Sequence, residues 1–171
     1  VYFFGAPVIY SPWFEFPLSN ERKSGFLTPT TGLTGIRGFE YSQPYYLNLA
    51  PNYDATITPR LMTKRGVQIG AQGRYLLANG QGEASAEYLH NDRVSGTNRY
   101  ALSSRHTQNL DFLPGLVGYW NLNKVSDNTY FADLSDRVGL TSQTTLPREG
   151  GFAYTSGPWQ VLARAQGFQT L

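Results

Sequence analysis

Cysteine is absent from the 171 residues, so neither a disulfide framework nor a thiolate metal site can be built. Charge is scarce: 15% of residues are charged, against about 25% in an average soluble chain. The net charge of +2 is too small to draw nucleic acid or an anionic surface, and no nucleic-acid partner is expected. No run approaches the roughly 20 apolar residues of a membrane-spanning helix, so any membrane crossing must be made by strands. The opening Val1-Tyr2-Phe3-Phe4-Gly5 lacks a basic region and a small-residue cleavage site. It reads as a mature chain or as a piece of a longer one.

Catalytic signals are equally thin. HExxH, CxxC, GxSxG and Gly-rich phosphate loops are all missing. The two histidines, His90 and His106, fall at the end of one expected strand and inside the next. Asp127, Asp133 and Asp136 lack the spacing of a Ca²⁺ loop and read as a solvated loop. Glu83 and Glu87 stand four apart, roughly 13 Å along a strand, too far for paired acid–base work. In a barrel they face the lumen with Arg74 and Arg99. The expectation is no enzyme, no cofactor and no metal.

Aromatic residues, by contrast, reach 15%, with 12 Tyr and 10 Phe, and 18 Gly and 10 Pro punctuate the chain. Apolar and polar residues alternate with period two over long stretches. Val67, Ile69, Ala71, Tyr75 and Leu77 share one face opposite Gln68, Gln72 and Arg74. Tyr53, Ala55, Ile57, Pro59 and Leu61 oppose Asp54, Thr56, Thr58 and Arg60. Residues 83–88 and 159–166 repeat the pattern, Leu162 being an exception. Period two over such lengths predicts an all-β fold, with about nine up-and-down strands from residue 25 onward. Turn signals at 50–52, 79–82, 113–115 and 156–158 fall at one end, and the longer 91–98 and 126–139 connections at the other.

Soluble sandwiches and membrane barrels share this alternation. Strands of about ten residues exceed the usual five or six and match a tilted span. Aromatics near strand ends (Tyr45, Tyr53, Tyr75, Tyr88, Trp120, Trp159) and one end of short turns are barrel features. Residues 1–17 differ, with three prolines and seven aromatics, and the polar 19–24 stretch reads as a linker. The boundaries expected are 1–18 for a preceding domain, 19–24 for the linker and 25–171 for the barrel strands.

Pro29 and Pro44 sit fifteen positions apart inside stretches that otherwise read as the first two strands. A proline supplies no ladder donor, so two of them suggest a weak seam. Pro59 and Pro147 also fall in expected strands, so proline alone does not mark a gate, and Pro29 fits a bulge or strand start equally well.

Specific phrases surround these prolines. Pro7-Val8-Ile9-Tyr10-Ser11-Pro12-Trp13-Phe14, Phe16-Pro17-Leu18 and Arg22-Lys23-Ser24-Gly25-Phe26-Leu27-Thr28-Pro29 resemble the junction segment of the LptD family of lipopolysaccharide-assembly outer-membrane proteins. Residues Gln43 to Arg60, Lys64-Arg65-Gly66, Gly73-Arg74-Tyr75-Leu76 and Lys124 to Phe131 continue the likeness in consistent order. Leu47 departs from the aromatic residue common there.

The resemblance implies a Gram-negative outer-membrane location with a periplasmic N-terminal portion. It implies that residues 1–18 end a periplasmic β-jellyroll fed by an LptA-type bridge, and that 25–171 are the first strands of a large transmembrane β-barrel. The barrel would hold a plug lipoprotein, LptE, and Pro29 and Pro44 would loosen a lateral gate for lipopolysaccharide to leave into the outer-membrane lipid. Arg60, Arg74, Arg99, Arg105 and Arg164 are candidate lumen contacts for phosphate or sugar, or ordinary polar lining. The alternative from the residues alone is a self-contained small barrel, either a pore or a lipid-modifying enzyme. It is disfavoured because Gln169-Thr170-Leu171 does not finish on a closing aromatic. A soluble carbohydrate-binding sandwich comes third.

Overall fold

Wherever apolar and polar residues alternate, the chain is a strand. The computed structural model describes residues 22–135 and 144–171, together with the backbone of Tyr2–Phe3 (β1) and Ala6–Pro7 (β2), which pair antiparallel. Apart from those four positions and residues 22–24, the expected preceding domain and linker lie outside the described residues. Seven long strands carry the alternating segments: β7 (Tyr53–Met62), β8 (Gly66–Leu76), β9 (Gly80–Leu89), β10 (Arg99–Asn109), β11 (Leu116–Val125), β12 (Thr145–Ser156) and β13 (Trp159–Thr170). They run 10 to 12 residues, the length of a tilted membrane span.

Two further rows precede them, and each is broken in two. β3 (Gly25–Phe26) and β4 (Thr30–Thr34) form the first row, and β5 (Gly38–Ser42) and β6 (Tyr45–Ala50) form the second. Two broken rows and seven long strands make the nine up-and-down strands expected. All pair antiparallel with their neighbours in chain order. The lateral edges among the described residues are β13 and the β3–β4 row.

The two faces are reversed relative to a water-soluble sheet. Thr56, Thr58, Arg60, Gln68, Gln72, Ser85, Ser103 and Asn121 line a concave polar surface enclosing about 670 Å³. The opposite face carries Val67, Ile69, Leu102 and Leu122, each exposed by 46 to 50%. A soluble sandwich would bury that row against a second sheet. So large an exposed apolar face marks a partner medium, and apolar-out, polar-in is the pattern of a transmembrane barrel wall.

Connections follow the expected asymmetry. Residues 51–52, 77–79, 110–115 and 157–158 turn at one end, and 35–37, 63–65, 90–98 and 126–144 at the other. The last of these, expected as a polar loop, contains a helical turn, α1 (Tyr130–Leu134). Tyr130 and Leu134 of α1 join Met62, Leu89, Val125 and Leu146 in the buried apolar cluster. Helical spacing puts positions 130 and 134 on one side of a single turn, which period-two reading passes over.

Gly115 shows how tightly a short turn is built. Its φ is +88°, and a Cβ there would come within 2.2 Å of the Thr155 carbonyl oxygen on the next strand row. Gly157 also has a positive φ, +55°, but faces open space. Gly115→Ala should therefore destabilise the folded protein by about 1–3 kcal/mol, and Gly157→Ala by less. Denaturant midpoints of the two full-length variants, measured by loss of the heat-modifiable band, check the ranking.

Candidate functional site: a proline seam and a loop-plugged concave face

The register explains why the first two rows break. Gly25 and Phe26 pair with Tyr46 and Tyr45, and Thr30 pairs with Ser42. Between those pairs, three residues (Leu27, Thr28, Pro29) face two (Gln43, Pro44), which is a bulge. Both prolines thus stand in the gaps between strand halves rather than within strands, the placement their missing N–H requires.

The Leu27 N–H donates to the Pro44 carbonyl at 2.9 Å, and the Gln43 N–H donates to the Pro59 carbonyl at 3.1 Å. A strand residue sends its N–H and C=O to the same neighbour. Pro44 therefore lacks its donor toward the β3–β4 row, and Pro59, inside β7, lacks its donor toward β5–β6. Pro59, which residue type alone leaves among ordinary strand prolines, is thus a participant in the seam.

At the short-turn end the seam is clipped by side chains. The Asn48 N–H donates to Ser24 Oγ at 2.8 Å, and Asn48 Nδ2 donates to the Arg22 carbonyl at 2.7 Å. Arg74 holds Asp54 with two bonds of 2.8 Å, Tyr46 adds its hydroxyl at 3.3 Å, and Arg22 lies 3.7 Å from the same carboxylate. The segment entering the sheet at residues 22–24 is therefore tied to the second and third rows and not only to its own ladder.

At the long-loop end, residues 126–135 of the β11–β12 connection fold back over the concave face. Arg99, 1% exposed at the start of β10, binds Asp127 at 2.6 Å, Asp133 at 2.8 Å and Asp92 at 3.2 Å. Arg65 joins from the 63–65 turn, 2.7 Å from Asp92 and 3.2 Å from Asp133. Asp127 and Asp133, expected in a solvated loop, remain partly exposed but pair with the buried Arg65, Asp92 and Arg99 in one ion cluster. Asp136 lies outside the described residues.

Glu40 bridges Arg37 at 2.7 Å and Arg60, and these arginines donate to the C-terminal carbonyls of α1. Arg60 Nη1 reaches Leu134 O at 2.7 Å, and Arg37 Nη1 reaches Ser135 O at 3.1 Å. Cations are favoured at that end of a helical turn. Tyr130 completes the plug, donating to Glu87 at 2.8 Å and accepting from Gln68 at 2.9 Å.

Protonation in the loops follows this geometry. Burial works to raise the Asp127 carboxyl, but the Arg99 guanidinium and the Ser126 and Thr129 hydroxyls override it and hold it at about 2. Asp92 is lowered in the same way: burial opposes, while the Val94 N–H, Arg65 and Arg99 prevail. The Tyr130 hydroxyl is pushed up by burial and by the neighbouring Glu87 carboxylate, so it stays a donor.

The five candidate arginines therefore separate. Arg60 and Arg99 are committed to the plug, and Arg99 is closed off from the concavity. Arg74 belongs to the clip at the opposite end. Arg164 makes a long contact of 3.7 Å to Glu149. Arg105 is exposed on the concave wall and has no ion pair or hydrogen bond among the described residues. Sequence reasoning misses Arg37, Glu40, Arg65, Asp92 and Tyr130. Their partners lie up to 98 positions away, as for Arg37 and Ser135, and no local spacing announces them.

Comparison with known proteins bears on both regions. The family model described as LptD protein matches residues 1–117, and that described as LPS transport system D matches residues 97–171. The LPS-assembly protein LptD of Paraburkholderia xenovorans is 51% identical over all of this chain, which spans 22% of that relative. Those of Burkholderia ambifaria and Aromatoleum aromaticum are 49% and 46% identical over all of the chain, again 22% of each relative. The chain spans about a fifth of the length of the curated relatives it matches.

The ion cluster makes two measurable demands. Arg99→Leu would take from the buried Asp92 one of its two guanidinium partners, Arg65 remaining at 2.7 Å, and from Asp127 its only one, and should cost about 1–3 kcal/mol. Arg164→Leu, at a half-exposed long contact, should cost less than about 1 kcal/mol. Protease cleavage of the 126–144 loop in the folded protein reads the difference. A carboxyl lowered in the folded state stabilises above its ordinary value near 4 and loses that stabilisation as pH falls toward its folded value. The loop should accordingly loosen between about pH 4 and pH 2, seen as faster cleavage by an acid-active protease.

Proposed function

This chain belongs to the LptD family, and from that membership we propose that it supplies the first wall of an outer-membrane barrel that inserts lipopolysaccharide into the outer leaflet. The polar concave face would carry the sugar portion, and the apolar outer face would meet membrane lipid. The proline-broken first two rows, Pro29 and Pro44, would form one side of a lateral gate through which the lipid leaves. Residues 1–18 would end a periplasmic β-jellyroll that receives the molecule from an LptA-type bridge. The rest of the concavity would receive the plug lipoprotein LptE. The work is assembly, with no chemical step assigned to any residue of this chain.

The single observation that carries this reading is the bulge of three residues against two at the edge of the sheet, with a proline on each side. Hydrocarbon offers no water to replace a missing ladder bond, so each lost donor weakens the wall there more than it would in an aqueous protein. Each restored N–H is worth about 0.5–1.5 kcal/mol net even in water. Pro29→Ala/Pro44→Ala in the full-length protein should tighten the seam and slow arrival of newly made lipopolysaccharide at the cell surface several-fold. Unchanged arrival in cells with normal levels of the variant would sink the gate.

A further inference from the structure

The outer face of the second row carries one residue that does not suit lipid. Phe39, Tyr41 and Tyr45 share that face by alternation, and Gln43 stands among them. Its amide is nevertheless fully occupied. Gln43 Oε1 accepts from the Tyr41 hydroxyl at 2.8 Å, and Gln43 Nε2 donates to the Leu27 carbonyl at 2.8 Å and more weakly to the Pro44 carbonyl at 3.4 Å.

The Leu27 carbonyl is the acceptor that the seam would otherwise leave orphaned. Leu27 and Pro44 face each other as a hydrogen-bonded pair, in which both residues normally exchange N–H···O bonds. One of the two is present, Leu27 N–H to Pro44 O at 2.9 Å. The reciprocal bond cannot form because Pro44 has no N–H. Gln43 Nε2 occupies that acceptor instead. The same residue's backbone N–H donates to Pro59 O on the far side at 3.1 Å, so its side chain reaches across the seam from a backbone bonded to the third row.

We propose that Gln43 is a side-chain latch for the lateral seam, standing in for the donor that Pro44 removes, with Tyr41 holding its amide in the donating orientation. A ladder bond opens only if backbone moves, whereas an amide on three rotatable bonds releases by a change of rotamer. The seam is thus closed at rest without an unsatisfied carbonyl facing lipid, yet can be released locally at this point. The inference rests on the reading of this seam as the exit path, and it assigns a positioning role to Gln43.

Hydrogen exchange of the segment covering residues 24–31 tests it, in full-length protein held in outer-membrane vesicles with its partner subunit. Gln43→Leu should speed exchange at Leu27 about two- to tenfold, the equilibrium factor of one net hydrogen bond. In a Pro44→Ala background, position 44 regains an N–H that can donate to the Leu27 carbonyl. There the same substitution should change exchange less than about twofold. Equal acceleration in both backgrounds, or none with Pro44 present, overturns the latch. Should Pro44→Ala fail to assemble, Gln43→Glu at pH 8 keeps the size and polarity but cannot donate, and it must exchange as fast as Gln43→Leu. Exchange at the unaltered rate overturns the latch. Surface arrival of lipopolysaccharide in the same strains separates the two readings. The expected exchange pattern with unaltered arrival supports the latch and removes the export role, and unaltered exchange removes the latch whatever the arrival.

Discussion

In a sheet whose exposed face is apolar, each backbone N–H and C=O must find its partner in the ladder or in a protein side chain, because hydrocarbon offers none. The rest of this wall is arranged around that constraint. The seven long strands meet it with antiparallel pairing, β12 and β13 matching residue for residue from Thr145–Thr170 to Ser156–Trp159, while the β11–β12 ladder runs from Leu116–Tyr154 to Leu122–Arg148 and stops short of Pro147. The first two rows break it at one place, and the break is contained by a bulge, two strand gaps and side-chain donors from Gln43 and Asn48. The flanking pairs Phe26–Tyr45 and Thr30–Ser42 bound the break on both sides.

The concave face obeys the complementary rule. Polar side chains there are free to face water, but those under the folded loop lose that option and must pair. Arg99 and Asp92, both almost wholly buried, do so through a cluster that draws on four separate connections and strand ends. Such a cluster costs desolvation, so its presence is weak evidence of stability for its own sake. What the loop contacts accomplish is positional: Arg37 and Arg60 donate to the last carbonyls of α1, and Glu40, in the second row beside the proline seam, holds both guanidinium groups. Plug and seam therefore share a strand row, with Glu40 in β5 and Pro44 in the gap that follows.

Most of the fold was legible because period two is a local property. The strands β7 to β11 follow from alternation and turn residues, and the apolar-out arrangement follows from strand length and sparse charge. Pro29 and Pro44 were visible for the same reason: a missing N–H is written in the residue type. The helical turn at 130–134 was not visible, because five residues in a polar connection carry no sustained period. The pairing of Asp127 and Asp133 with Arg99 escaped as well. Aspartates in a loop look the same whether water or a guanidinium 28 positions away neutralises them.

What the sequence determined alone was the class of wall: antiparallel, about nine strands, one apolar face, two donors missing near its first edge. Residue type and alternation suffice for those, since each depends on a residue and its immediate neighbours. Only the tertiary structure decided where the missing donors point, that Gln43 supplies one of them, and which arginines remain open to the concavity. Those depend on register, and a shift of one residue between rows, as at the bulge of Leu27 to Pro29, reverses the face each side chain occupies.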